Sequence, residues 1–305
     1  MRGAIAALGR WWFAPVPPER LAALRIAVGA FATLWVAARL PELMAVARLP
    51  ASQFAPAGVI RVLATPLPPA AAIAIGVATI GLVAAFTAGV RYRVVAPLAA
   101  AATLWTLSYR SSWGMVFHTD NLLVLHLIAL ACAPAADAWA LGRGAPPTPA
   151  PAGGSGHGWA IKLLAALTCA TYLLAGIAKL RLAGLDWLDG DQLRNQIAID
   201  NVRKALLGAA PAPLARLLVA HPAALMLLSL TSLAIELAAP LALLGGRAAR
   251  RWALAAWAFH AGVVVAMNVW FLYPLIGVAF LPLFAAERVV GAPLRWWRSR
   301  AISVT

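Results

Sequence analysis

Lys179 closes the apolar run LLAGIAKL, and Trp187 follows with Asp186, Asp189 and Asp191 within a few residues. A primary amine placed there has chemistry that an exposed lysine lacks. Desolvation disfavours the ammonium, and an amine neutral near pH 7 can act as a base. Counting back, Thr168, Tyr172, Gly176 and Lys179 fall at i, i+4, i+8 and i+11, which puts them on one helical face. Three more runs carry polar stripes: Ser229, Ser232 and Glu236; His260, Val264, Met267 and Asn268; and Arg25, Gly29 and Thr33. An ionisable side chain in hydrocarbon costs roughly 2.5–3.5 kcal/mol, so each needs a partner, a water-filled cavity or a route to the interface. The economical arrangement is a polar cavity open to the outer face. Lys179 and His260 are its catalytic candidates, and Tyr172, Trp187, Glu236, Asn268, Asp120, Asn121 and Arg25 are candidates for its wall.

Each of these residues also has a structural reading. A lysine at the end of a span commonly snorkels, burying its stem and hydrating its head. Arg25 and Glu236, the clearest opposite charges inside predicted spans, can neutralise each other as a buried pair. His260 and Asn268 can hydrogen-bond between helices. His118, Asp120 and Asn121 stand where a span begins, an ordinary place for Asp and Asn, and Trp187 suits any membrane interface. Spacing alone leaves both readings open.

The elements that must position these residues follow from composition. The chain has 305 residues, 63% hydrophobic and 11% charged, with mean hydropathy +0.83. That is more apolar surface than a soluble domain of this length can hide, and the apolar runs are long enough to cross a bilayer. The expected fold is all-α, a polytopic integral membrane bundle of about eight transmembrane helices in a single domain. Candidate spans lie at 20–38, 69–90, 94–109, 119–134, 159–180, 222–245, 251–270 and 272–289. Residues 142–158, rich in Gly and Pro, read as a flexible cytoplasmic linker. Residues 181–221 read as a polar extracytoplasmic connection, and 290–305 as a basic cytoplasmic tail.

The net charge of +15 does not point to nucleic acid, because the arginines fill the gaps between apolar runs and form no stripe interleaved with aromatics. It reads as topology and contact with anionic lipid. Arg2, Arg10, Arg20, Arg91, Arg93, Arg247, Arg250, Arg251 and Arg288 with the tail arginines fall on one side, which sets both termini in the cytoplasm of a multi-pass cell-membrane protein. Lys179 is then extracytoplasmic. Cys132 and Cys169 lie inside apolar runs without CxxC spacing, so neither a thiol relay nor a metal site is expected. The start of the chain has too short an apolar core before Arg10 for a signal peptide, and Trp11 and Trp12 suit an interfacial anchor.

The order of these pieces resembles a known family. AGIAKL followed by DWLDG, with LRIAVG (24–29), QFAPAGVI (53–60), SWGMVFHTDNLLVL (112–125), IELAAPLALL (235–244) and AFHAGVVVAMNVWFLYP (258–274), is similar to the HTTM (horizontally transferred transmembrane) family, related to the membrane domain of vitamin K-dependent gamma-carboxylase. The resemblance implies that Lys179 matches the weak base that deprotonates vitamin K hydroquinone, and that Asp120 or His118 takes the place of a carboxylase histidine. It also implies a quinol such as menaquinol or vitamin K hydroquinone as cofactor. The carboxylase's second lysine beside the base is Ala178 here, and its large extramembrane domain has no counterpart up to Thr305. These departures move the expectation from glutamate carboxylation toward a quinol-linked reaction on a small or lipid-like substrate. The expected partners are membrane lipid, a lipid-soluble quinone and a secreted peptide or small molecule, with no nucleic acid. The rival expectations are a non-enzymatic accessory or immunity-type protein and a small-molecule transporter, although no internal repeat supports the latter.

Overall fold

The computed structural model describes residues 2–115, 119–141 and 156–291, and every regular element among them is helical. The chain divides into two compact units. One runs up to Leu164 and resumes from Ala285, and the other is Ala165–Phe284.

The first unit begins with α1 (Arg2–Trp12), in which Ile5 and Leu8 are exposed and the Trp11 ring lies 4.4 Å from the Lys162 ammonium. α2 (Pro18–Val46) starts on a proline, harmless there because the first-turn N–H has no intrahelical acceptor. Its 29 residues rise about 43 Å at 1.5 Å each, beyond the 30 Å or so of hydrocarbon. α3 (Pro69–Ala88) lies close against it at Gly29, where a Cβ would meet Thr87 and come within 3.0 Å of Phe86. Small residues let membrane helices approach in this way. α4 (Tyr92–Ser111) joins α3 through a hydroxyl pair, Thr79 to Thr106 at 2.8 Å, and α5 (Thr119–Ala131) packs beside α4.

At one end of this unit Arg25, fully buried, donates from Nε to the Thr87 carbonyl (3.2 Å), from Nη1 to those of Ala135 (2.8 Å) and Ala138 (3.2 Å), and from Nη2 to that of Trp139 (2.5 Å). The expected Arg25–Glu236 pair is therefore corrected. A planar guanidinium satisfies four converging carbonyls with donors that a carboxylate would only compete for. Elsewhere in the unit Arg110 bridges Glu42 and Asp120, at 3.0 Å each, and the Trp35 indole donates to Asp120 at 3.0 Å.

α6 (Gly158–Ala183) continues into a 3-10 turn, Gly184–Trp187. The second unit then adds α7 (Asp191–Leu206), α8 (Ala215–Val219), α9 (Pro222–Leu237), α10 (Gly246–Met267) and α11 (Leu272–Leu275). Its core joins Cys169 and Tyr172 of α6 to Ala239 and Ala242, to Trp252, Ala253 and Ala256 of α10, and to Phe280. A second cluster centres on Ile197, Ala212, Ala215 and Leu225.

α2, α3 and the run from Gly158 to Trp187 are long and apolar enough to cross a membrane; the segments 120–131 and 222–237 are apolar but shorter. Two expected spans are broken. The one at 222–245 stops as an α-helix at Leu237 and passes through a 3-10 segment, Ala239–Leu244, because Pro240 lacks the N–H that would continue the ladder. The one at 272–289 is divided into α11 and a 3-10 segment, Val278–Leu283, separated by Gly277 at φ +82°, with helix resuming only at 286. The 181–221 connection, read as polar, is largely helical and mostly exposed, with Trp187, Gly190, Ile197, Ala212 and Ala215 its buried residues. Of the predicted linker, 142–155 lie outside the described residues, whereas His157 bonds Asp137 at 3.0 Å and Gly158 already begins α6. The tail from 292 onward also lies outside the described residues.

Candidate functional site

Two polar pairs form where α6 meets α9 and α10, all within the second unit. The first depends on Gly176: a Cβ there would lie 3.0 Å from the Glu236 Cβ and 3.0 Å from Leu237, so only glycine lets α9 come this near without displacement. Nearly one turn further on, the Lys179 ammonium reaches Glu236 Oε1 at 2.5 Å. The Lys179 side chain is 20% exposed and that of Glu236 5%. Trp187, brought back by the turn after α6, places its ring centre 4.9 Å from Lys179 Nζ, and Phe259 of α10 lies at 5.7 Å. The amine therefore turns toward protein groups.

The second pair lies deeper on α6. Tyr172 Oη and His260 Nε2 are 2.7 Å apart. Trp252 meets the Tyr172 ring edge-on at 5.0 Å and is itself fixed by its indole N–H bonding the Ile235 carbonyl. Phe259 and Phe271 flank the imidazole at 5.1 and 5.2 Å. Phe259, adjacent to both Lys179 and His260, was missed in the sequence because nothing marks one phenylalanine out in an apolar run.

In the segments that carry these groups several buried polar atoms have no hydrogen-bond partner among the described residues: Glu236 Oε2, His260 Nδ1, Trp187 Nε1 and, two turns away on α9, Ser229 Oγ. Leaving such an atom unpaired costs about 1–3 kcal/mol. If Tyr172 donates to Nε2, the proton of the neutral imidazole sits on Nδ1, so the set comprises an acceptor (Glu236), two N–H donors (His260, Trp187) and a hydroxyl. Beside them the Lys179 amine and the Glu236 carboxylate are close enough to exchange a proton.

Lys179, Glu236, Trp187, Tyr172 and His260 thus share one unit and one neighbourhood. Asn268 caps α10 in the left-handed conformation (φ +48°), and its side-chain oxygen is taken by the Trp270 indole at 2.9 Å. Asp120 is held by Arg110 and Trp35, Asn121 is exposed on α5, and Arg25 is committed to carbonyls. Asn268, Asp120 and Arg25 are thus engaged by other partners. His118 lies outside the described residues. Among the described residues no group of His, Cys, Asp and Glu is disposed to hold a metal ion.

No curated protein and no solved structure matches the chain. The HTTM domain family matches residues 13–288, across both units and nearly the whole chain. With its apolar helices, the chain is a membrane protein that belongs to the HTTM domain family.

Proposed function

We propose that this protein is a quinol-dependent modifying enzyme of the cell membrane, with Lys179 as its base, both termini cytoplasmic and the Lys179 group at the extracytoplasmic face. The observation that carries the reading is the Lys179–Glu236 contact at 2.5 Å beside buried polar atoms that lack partners among the described residues. The donor and acceptor types present fit a quinol: Glu236 Oε2 would accept from a hydroxyl, His260 Nδ1 and Trp187 Nε1 would donate to oxygen, and the Trp187 and Phe259 rings would offer flat apolar faces. When bound, a quinol supplies the reducing equivalents that turn a weak base into a strong one in the presence of oxygen. Lys179 receives the hydroxyl proton as an amine, Glu236 holds the proton that leaves the ammonium, and Tyr172 fixes the His260 ring so that its N–H faces one way.

The closed ion pair also favours a second reading, in which Lys179 and Glu236 only pin α6 to α9 in a non-enzymatic accessory protein. Reconstitution in nanodiscs with menaquinol separates the two. Oxygen-dependent quinol consumption lost in Lys179→Arg, with quinol binding and folded yield retained, is the expected result, since guanidinium does not shed its proton near neutral pH. Failure of the wild type to bind or consume the quinol leaves the accessory reading.

A further inference from the structure

α7 carries two apolar faces, and the packing of its own unit explains one of them. Leu193 and Ile197 point into the cluster with Ala212, Ala215 and Leu225, and Asn201 and Lys204 secure the same side: the Asn201 side-chain oxygen accepts from Ala212 N at 2.6 Å, and Lys204 bonds Asp200 and the carbonyls of Met267 and Asn268. On the opposite side Ile199, Val202 and Leu206 follow i, i+3 and i+7 and are 68%, 59% and 81% exposed. With Ala198 and Leu207 they line a shallow apolar depression, edged by Arg203. A charged helix in a water-bathed connection has no use for such a ridge.

We infer that α7 lies in the membrane interface, with the Ile199–Val202–Leu206 ridge seated among the acyl chains of the surrounding phospholipids. Three observations choose lipid as the occupant. The helix connects two apolar segments, Gly158–Trp187 and Pro222–Leu237, so its ends begin beside hydrocarbon. The residues leading into it, Leu182 and Leu185, are 89% and 74% exposed, and Leu217 of α8 is 55% exposed, so the apolar surface continues on either side of α7 in the chain. Finally, the 16 residues rise only about 24 Å, too short to span, whereas Arg194 and Arg203 flank the ridge with side chains 40% and 55% exposed, each also paired with an aspartate of α7, Asp191 at 3.2 Å and Asp200 at 2.7 Å. A basic-flanked apolar face is the pattern of helices that lie in the headgroup region.

Two measurements test this on the full chain in liposomes. In a Cys132→Ser background, single cysteines at Ile199, Val202 and Leu206 are spin-labelled, with Gln196 as the control beside the ridge. The expected result is a ratio of oxygen to nickel-chelate collisions several-fold higher at the three ridge positions than at Gln196. Equal ratios would place the ridge in water and overturn the inference. Exclusion of both reagents with spin–spin broadening would assign the face to a second copy and overturn it equally. The unsubstituted protein is also reconstituted with a phospholipid bearing a photoreactive acyl chain. Adducts are expected on the tryptic peptide 195–203 as well as on 182–194; labelling confined to the latter overturns the inference without any variant.

Discussion

Replacing Glu236 with Gln keeps the shape of the side chain and removes the charge that faces Lys179. Breaking a buried pair by removing one partner costs about 3–5 kcal/mol. Lys179 is only four-fifths buried, and the rings of Trp187 and Phe259 remain beside it, an attraction of about 0.5–2 kcal/mol. The expected loss is therefore about 2–4 kcal/mol, roughly 4–16 °C in Tm at 2–4 °C per kcal/mol. Lys179→Met should cost a comparable amount by stranding the carboxylate, whose second oxygen already lacks a partner among the described residues. The combined Lys179→Met, Glu236→Leu variant should recover most of the loss, because apolar replacement of a buried pair is often neutral or stabilising. Thermal unfolding in one detergent of the wild type, Lys179→Met, Glu236→Leu and the combined variant closes the cycle and gives the coupling energy. Additive single losses, with no recovery in the double variant, would refute the claim that the two groups are held together in a poorly hydrated place.

Arg25→Lys should destabilise by about 2 kcal/mol or more, seen as a lower Tm, because an ammonium has three donors on one atom and cannot reach carbonyls that the guanidinium fork spans. Gly29→Ala should cost about 1–3 kcal/mol in the same assay through overpacking, since the new methyl meets Thr87 and Phe86 across the α2–α3 contact. For Asp200, burial raises the carboxyl, but hydrogen bonds and charge from Arg203 and Lys204 outweigh it and hold it below the ordinary 3.8. A carboxyl whose folded value is depressed contributes stability above its unfolded value, and that contribution fades as pH falls from about 3.8 through the folded value. Hydrogen exchange across α7 and α8, corrected for intrinsic rates, should show protection lost in that window, and Asp200→Asn should show the loss already at neutral pH.

Composition and periodicity were enough to make this chain a helical membrane protein, because a bilayer allows a long apolar run little besides a helix and the cost of each buried charge marks the residues that need partners. The stripes through Tyr172 and Lys179, through Glu236 and through His260 were legible for the same reason: residues four apart share a face wherever the helix lies. What periodicity does not contain is the rotation of one helix against another. Arg25 and Glu236 looked like partners from sign alone, yet the carbonyls left open at the end of α3 and after α5 converge on Arg25, while Gly176 draws α9 close enough for Lys179 to take Glu236. Asn268 shares a helical face with His260 on paper, but at the helix end it adopts the left-handed conformation and turns to Trp270. The packed side of α7 was hidden because Leu193 and Ile197 are sparse among polar residues, and only the surfaces of α8, α9 and α10 decide that they are core. Local sequence sets which groups must be satisfied; the tertiary fold sets by whom, because a hydrogen bond or ion pair needs a few ångströms of approach that only packing provides.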